Sequence, residues 1–173
     1  MGLRLPQGRR FYPLEQFFQL VRTFQIPIGS TIKAEDGEVQ LTTASDRGRG
    51  RKHVSASLGR FTVYQRGGRR AVTRLSLAGK LPDCGRGSTQ RGTANVAARS
   101  RPRKLRTREK GKGKVEVEGK YSTGASYGTD WLTEDRCDGT LTTVFKGTVL
   151  VQDFGQKKKV VVRAGHSYLA KKP

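Results

Sequence analysis

The feature that most constrains the fold of this chain is an alternation of apolar and polar residues with a period of two. Val39 and Leu41 alternate with polar neighbours, and Phe61 and Val63 repeat the pattern. Side chains on a β-strand point alternately to opposite faces, so this period indicates strands with one buried face. Glycines separate such runs every eight to ten residues near the end of the chain, at Gly139, Gly147, Gly155 and Gly165. We predict an all-β fold, a sandwich or a solenoid-like stack of short antiparallel strands.

Two local patterns add detail to this prediction. Apolar residues occupy positions i, i+3, i+4 and i+7 from Leu14 onward, which predicts one short N-terminal helix over residues 14–24. Pro27 would prevent its continuation. Further along, the dipeptide Asp36-Gly37 lies between two strand-like runs and favours a hairpin turn.

Charge is the second dominant feature, with 35 Lys and Arg against 14 Asp and Glu, a net charge of +21. Residues 85–114 carry eleven of the basic residues and one acid, and contain no aromatic residue. Such a segment cannot offset its ordering entropy by burial, which predicts one long, flexible basic loop. We therefore expect a single domain over residues 1–173, in which this insertion separates a front half (3–84) from a rear half (115–170).

The basic insertion is the candidate binding site for a polyanion. A strongly cationic protein attracts nucleic acid, anionic cell-wall polymers and acidic membrane surfaces, and arginine offers planar, paired donors to phosphate. The alternative is a solvated linker, since the segment lacks the aromatic residues on which bases stack. The candidate residues are Arg99, Arg101, Arg103, Lys104, Arg106, Arg108, Lys110 and Lys112.

Cys84 and Cys137 are the two cysteines of the chain. Each has turn-like, polar neighbours, which favours a structural disulfide that closes a loop around the basic segment. Disulfides persist in oxidising compartments, so the alternative of two reduced thiols would place the protein in the cytoplasm. The pairing geometry cannot be derived from sequence.

No residue pattern indicates an enzyme, a cofactor or a metal site. His53 and His166 are the two histidines, and no Cys/His cluster has the spacing of a zinc site. Glu134, Asp135 and Asp138 form an acidic cluster without the spacing of a calcium-binding loop. We expect these acids to cap turns and to pair with basic residues such as Arg136.

Residues 128–170 contain short glycine-containing motifs: Gly128-Thr129-Asp130-Trp131, Gly147-Thr148-Val149-Leu150-Val151 and Ala164-Gly165-His166-Ser167-Tyr168-Leu169-Ala170. Through these motifs, this part of the rear half resembles the C-terminal half of FecR-type domains. Within the front half, residues 3–44 are similar to the beginning of the same domain type through Leu5-Pro6, Ile28-Gly29-Ser30 and Gly37-Glu38-Val39. The resemblance implies a β-rich bacterial module outside the cytoplasm. The signal relay known from this family is not expected here, because that role needs a membrane-spanning helix and an anti-sigma segment, and this sequence contains neither pattern.

The sequence therefore predicts a non-enzymatic, exported FecR-like β-module with a structural or binding role at the cell envelope. Its partner would be an anionic polymer held by the basic loop, and it would be part of a larger surface protein or assembly. Polar residues interrupt the apolar run of the first 28 residues, which excludes a signal peptide there, so we expect the native start to lie upstream of Met1. The alternative is a cytoplasmic protein that binds nucleic acid without sequence specificity.

Overall fold

The structure is a computed structural model, and it describes residues 2–4, 25–44, 51–66, 71–82, 84, 103–110, 113–126 and 128–173. These residues form twelve strands and no helix. In chain order, β1 to β12 are Gly2–Arg4, Thr31–Ala44, Arg51–Arg66, Val72–Ala78, Arg103–Lys110, Lys114–Glu118, Ser122–Ser126, Asp130–Arg136, Gly139–Lys146, Thr148–Asp153, Lys159–Arg163 and Ser167–Lys171. The all-β prediction is confirmed, whereas the helix predicted over residues 14–24 lies outside the described residues.

All twelve strands belong to one nearly closed, barrel-like sheet that branches at β3. One edge of β3 pairs with β2 over most of its length. Its opposite edge pairs first with β5, at residues 53–57, and then with β4, at residues 60–66. Two arms extend from this branch: the first arm is β4-β6-β7-β10-β11 and the second arm is β5-β8-β9-β12. Among these strands, β4 and β6 pair in parallel and the other pairs are antiparallel.

The branch occurs at Leu58 and Gly59. The backbone of β5 passes so close that a Cβ atom on Gly59 would lie 1.7 Å from the carbonyl oxygen of Lys104. Leu58 adopts a φ of 71°, in the left-handed region that few L-residues occupy. β2 is irregular at the same level, because its residues 35–37 lie opposite Leu58 alone. The predicted hairpin at Asp36-Gly37 is therefore wrong: these residues form a bulge within a continuous strand.

The two arms enclose one hydrophobic core. Trp131 of β8, on the second arm, is fully buried against β7 of the first arm. Gly124 of β7 lies beside its indole Nε1, and the absence of a Cβ there leaves room for Val149, whose Cγ1 would lie only 3.1 Å from such an atom. Alternation in each strand supplies the rest of the core, as the burial pattern of β6 shows: Val115 and Val117 point inward between half-buried charged residues.

A buried ion pair joins the start of β3 to the end of β5. The side chains of Lys52 and Glu109 are 1% and 0% exposed, and the Lys52 ammonium donates both to the Glu109 carboxylate and to the carbonyl of Gly113. Ser126 Oγ and the backbone N–H of Gly128 also donate to this carboxylate, at 2.7 and 3.1 Å. Buried charges require such compensation, because their hydration is lost.

The prediction of a long flexible loop over residues 85–114 is wrong for the part that forms β5. Residues 103–110 of the basic segment form a central strand between β3 and β8, and residue 114 begins β6. Net charge alone suggested that this segment could not bury itself. In the strand, however, Leu105, Thr107 and Glu109 face the interior, while the basic side chains at even-numbered positions alternate outward. Residues 85–102 lie outside the described residues.

Candidate anion-binding surface

The two cysteines lie together, and each follows a strand of a different arm. The Cα atoms of Cys84 and Cys137 are 5.4 Å apart, a separation typical of a disulfide. Cys84 follows β4, and Cys137 lies in the turn between β8 and β9. The predicted pairing is thus brought to disulfide distance, and it links the two ends of a stretch that includes β5 to β8.

Three of the arginines predicted to bind a polyanion are paired with acidic side chains from other strands. Each acid lies far away in sequence, on β8 or β2, and is brought to β5 by the sheet. Such pairing reduces the positive charge that these arginines offer to a ligand. The pairs are Arg103–Asp135, Arg106–Asp130 and Arg108–Glu38, with nitrogen–oxygen distances of 2.7, 3.0 and 2.8 Å.

The remaining candidates of the basic segment divide into two groups. Lys104 and Lys110 lie on β5 and form no ion pair with any described residue. Arg99, Arg101 and Lys112 lie outside the described residues. Of the five candidates on β5, three therefore have an acidic partner, and two form no ion pair with a described residue.

Asp135 is a structural residue that holds the two arms together. Its carboxylate is fully buried and accepts hydrogen bonds from Arg103, from Thr140 Oγ1 at 2.6 Å and from the backbone N–H of Lys120 at 2.8 Å. Gly119 allows this approach, because a Cβ there would lie 2.7 Å from the Asp135 Oδ1 atom. The expected role of the acidic cluster in pairing is found here, although the partner of Asp135 is Arg103.

A second cationic surface is present at the C-terminal end of the chain, and the sequence analysis missed it. Residues 154–173 contain six basic residues and no acid. All six are exposed, and none forms an ion pair with a described residue. A scan for windows without acidic residues would have found this segment, which the more densely charged run at 85–114 obscured. We call β11, β12 and their flanking turns the cationic hairpin because the chain reverses direction between these two strands, which pair with different neighbours and not with each other. Its basic residues are Lys157, Lys158, Lys159, Arg163, Lys171 and Lys172.

Asp153 and Tyr168 anchor the cationic hairpin to the sheet. The Tyr168 hydroxyl donates to Asp153 Oδ2 at 2.8 Å, and the backbone N–H of Gln156 donates to Oδ1 at 2.8 Å. Burial alone would raise the pKa of Asp153, but these hydrogen bonds outweigh it and hold that pKa below its usual value. Burial and the adjacent carboxylate raise the pKa of Tyr168 to about 12. The two groups therefore stay ionised and neutral respectively at physiological pH.

Two strand edges border a groove within the cationic hairpin. The groove has a volume of about 290 Å³ and is lined by β11, by β12 and by His166 in the turn between them. Lys159, Val161 and Arg163 point outward on β11, while Val160 and Val162 are more buried. On β12, Lys171 is exposed and Ala170 is buried. The groove thus has an apolar wall of valines, and Arg163 is the basic residue that lines it.

Other functional groups are not brought together in the described part of the chain. No three His, Cys, Asp or Glu side chains among these residues converge as they would around a metal ion. The imidazole Nδ1 of His53 lies 3.2 Å from Thr42 Oγ1 on the exposed face of the sheet. No helix in the described ranges is long and apolar enough to cross a membrane.

No family model matches the chain, and no curated protein matches it. The resemblance of residues 128–170 to FecR-type domains therefore stays a prediction.

Proposed function

We propose that this chain is a non-enzymatic β-module that binds an anionic polymer through its cationic hairpin. One observation carries the proposal: six exposed cations lie within twenty residues that contain no acid. The arginines of β5, by contrast, are largely paired with carboxylates. Unpaired cations held on a fixed surface attract a polyanion more strongly than paired ones.

The anchor of the hairpin supports a defined binding surface. Asp153 and Tyr168 tie β10 to β12 across the groove, so the cations on β11 and β12 keep their relative positions. Lys159 and Arg163 lie on the same outward face of β11, about 13 Å apart at the rise of a strand. A polymer with regularly spaced charges can contact both, which a single small anion cannot.

A charge-matched pair of variants tests this proposal. The triple variant Lys159→Gln, Arg163→Gln, Lys171→Gln removes three cations of the hairpin. The control Arg51→Gln, Arg66→Gln, Lys80→Gln removes three exposed cations elsewhere that have no ion pair with described residues. We expect the hairpin variant to bind long-chain polyphosphate at least ~10-fold more weakly at about 100 mM NaCl, and the control less than ~3-fold. Binding would be measured by fluorescence anisotropy over a range of salt concentrations.

Equal weakening in the two variants would contradict the proposal, because it would mean that only total charge matters. For every phosphate that a variant no longer neutralises, the slope of log K against log salt should also become shallower, by about 0.9 for duplex DNA. Repeating the titration with duplex DNA distinguishes the alternative, a nucleic-acid-binding protein. Tighter binding to DNA than to polyphosphate of equal charge would favour that alternative.

The setting outside the cytoplasm is part of the same proposal. It is supported by the two cysteines at disulfide distance, since disulfides persist in oxidising compartments, and by the FecR-like motifs. The test is intact mass after thiol alkylation of protein taken from its native host. We expect no alkylated cysteine before reduction and two after it; two alkylated cysteines without reduction would place the protein in the cytoplasm.

A further inference from the structure

Three chain segments that are far apart in the sequence meet at one end of the sheet. The backbone N–H of Phe154, in the turn after β10, donates to the carbonyl of Tyr121, between β6 and β7, at 3.0 Å. In the same turn, a Cβ on Gly155 would lie 3.8 Å from the carbonyl oxygen of Lys171, at the end of β12. The turn between β10 and β11 therefore contacts both the β6–β7 turn and the end of β12.

This end of the sheet is rich in lysine. One lysine comes from the β6–β7 turn, two come from the turn after β10 and two from the end of β12. All five are exposed, and none forms an ion pair with a described residue. We call this surface the lysine-rich end, and its basic residues are Lys120, Lys157, Lys158, Lys171 and Lys172.

Glu118 and Asp138 border the lysine-rich end, and each of these acids has a basic partner. A carboxylate oxygen of Asp138 lies 3.2 Å from Arg136 Nε, and one of Glu118 lies 3.1 Å from Arg74 Nη1. Asp153, at the base of the turn after β10, is 1% exposed and accepts from the backbone of that turn. The lysines therefore dominate the charge that this surface presents to a partner.

Phe154 places an apolar ring among these lysines, since it is 45% exposed. Its backbone is held in a closed turn, in which Asp153 N donates to the carbonyl of Lys158 at 2.9 Å. The apolar surface continues on the outer face of the sheet, where Leu150 of β10 and Val161 of β11 lie opposite each other and are 39% and 58% exposed. Exposed apolar surface rimmed by polar groups marks interaction sites.

We propose that the lysine-rich end docks on an anionic lipid bilayer, with the ring of Phe154 inserted at the level of the headgroups. Basic residues near an anionic bilayer are attracted to its surface. Apolar side chains add to this attraction when they enter the boundary between headgroups and acyl chains. The apolar stem of a lysine can lie along that boundary while its ammonium group stays in water.

The combination of charge and apolar surface favours a bilayer over other occupants. A free polyanion could contact the lysines, but it offers no apolar environment to Phe154. A second copy of the chain would bring two lysine-rich surfaces together, and like charges repel. An anionic bilayer supplies both the opposite charge and the apolar environment.

A pair of phenylalanine variants tests the insertion. Phe154→Ala removes the ring, and Phe145→Ala is the control, because Phe145 is 48% exposed and lies beside the β9–β10 turn, at the opposite end of β10. Co-sedimentation measures binding of the full chain to phosphatidylcholine vesicles that contain about 30 mol% phosphatidylglycerol. We expect Phe154→Ala to weaken vesicle binding ~10-fold or more and Phe145→Ala less than ~2-fold.

A pair of lysine variants tests the position of the charge. Lys120 lies outside the cationic hairpin, so Lys120→Gln leaves the proposed polyanion-binding surface intact. Lys110→Gln is the control, since Lys110 is exposed at the far end of β5 and forms no ion pair with a described residue. We expect Lys120→Gln to weaken vesicle binding ~5-fold and Lys110→Gln less than ~2-fold. Vesicles of phosphatidylcholine alone should bind the unmodified chain at least ~10-fold more weakly.

A fluorescent side chain at the same position reports insertion directly. Phe154→Trp places an indole in the turn, and Trp131 gives a constant background because it is fully buried in the core. We expect the added indole to emit at shorter wavelength with the anionic vesicles and to be quenched by lipids brominated in their acyl chains. Phe145→Trp is the control and should show neither change.

The proposal shares cations with the proposed polyanion-binding surface but depends on Phe154, so either can fail alone. Equal vesicle binding by Phe154→Ala and Phe145→Ala, without quenching at position 154, would mean attraction by charge alone and would overturn the inference. Absence of vesicle binding with polyphosphate binding intact would reject the bilayer and leave the proposed function standing. A dimer in sedimentation experiments that Phe154→Ala dissociates would identify a second copy as the occupant.

Discussion

Gly59→Ala is expected to destabilise the protein by roughly 4 kcal/mol or more, the range reserved for the most disruptive single substitutions. The added Cβ would lie 1.7 Å from the Lys104 carbonyl oxygen and 2.9 Å from its carbon. Both are backbone atoms, so no side-chain rotation can relieve the overlap. β5 would have to move away from β3 at the point where the two arms diverge. The free energy of unfolding from urea denaturation, followed by circular dichroism, measures the effect.

Gly155→Ala is the matched control for this substitution. A Cβ on Gly155 would lie 3.6 Å from Asp153 Oδ1 and 3.8 Å from the Lys171 carbonyl oxygen, which are ordinary van der Waals separations. The substitution also keeps the backbone N–H of residue 155, whose hydrogen bond helps to lower the pKa of Asp153. We expect a change of less than about 1 kcal/mol in this control. An equally small change in Gly59→Ala would show that β5 does not pass Gly59 this closely.

Glu109→Ala is expected to cost about 3–5 kcal/mol, because it removes the carboxylate that compensates a buried ammonium. The side chain of Lys52 is 1% exposed and lies against Glu109 between β3 and β5. Ser126 Oγ and Gly128 N would lose the same acceptor. The measurement is again the free energy of unfolding, at pH 7.

The pKa of Glu109 determines how the conservative variant should behave. Burial raises this pKa above its usual value, although Lys52 and Ser126 act against the shift. A group with a raised folded-state pKa contributes stability that is full below its unfolded pKa and is lost as the pH rises through its folded pKa. Folding therefore makes ionisation of Glu109 less favourable than it is in the unfolded chain, and we expect Glu109→Gln to cost less than Glu109→Ala at pH 7.

A double variant separates the ion pair from simple packing. Lys52→Met combined with Glu109→Met replaces both charges with apolar groups of similar length, which is often neutral or stabilising in a buried site. We expect the double variant to be more stable than Glu109→Ala by at least ~1.5 kcal/mol. If the destabilisation by the double variant equals the sum of those by Lys52→Met and Glu109→Met alone, the two residues are not coupled. The proposed reason for the destabilisation by Glu109→Ala would then be wrong.

The structure of residues 103–110 shows why the prediction from local charge was wrong at β5. Charge density suggested a flexible loop over residues 85–114, yet Arg103, Arg106 and Arg108 lie on a central strand. Their acidic partners are 24 to 70 residues away in the sequence. A local count of charge cannot include such partners, because only the sheet brings them together.

Strand character, by contrast, could be predicted from the sequence. Alternation in Val115-Glu116-Val117 corresponds to the inward and outward faces of β6, since side-chain direction along a strand is a local property. Two cysteines in one chain allow a single intramolecular pairing, but only the structure shows that Cys84 and Cys137 lie within disulfide distance of each other. The prediction of a hairpin turn at Asp36-Gly37 was wrong because the backbone dihedrals that these two residues prefer suit a bulge as well as a turn. Strand β2 continues past them.

The sequence by itself determined the all-β class and the strand faces, because the period of two is a local property of the chain. Only the tertiary structure decided which of the described cations have an acidic partner. It placed acids against the arginines of β5 and, among the described residues, none against Lys159, Arg163 and Lys171. It also decided that, within the described ranges, β11 and β12 end the two arms without pairing. Both outcomes depend on which strands become neighbours, and strand neighbours are chosen by the packing of the whole sheet.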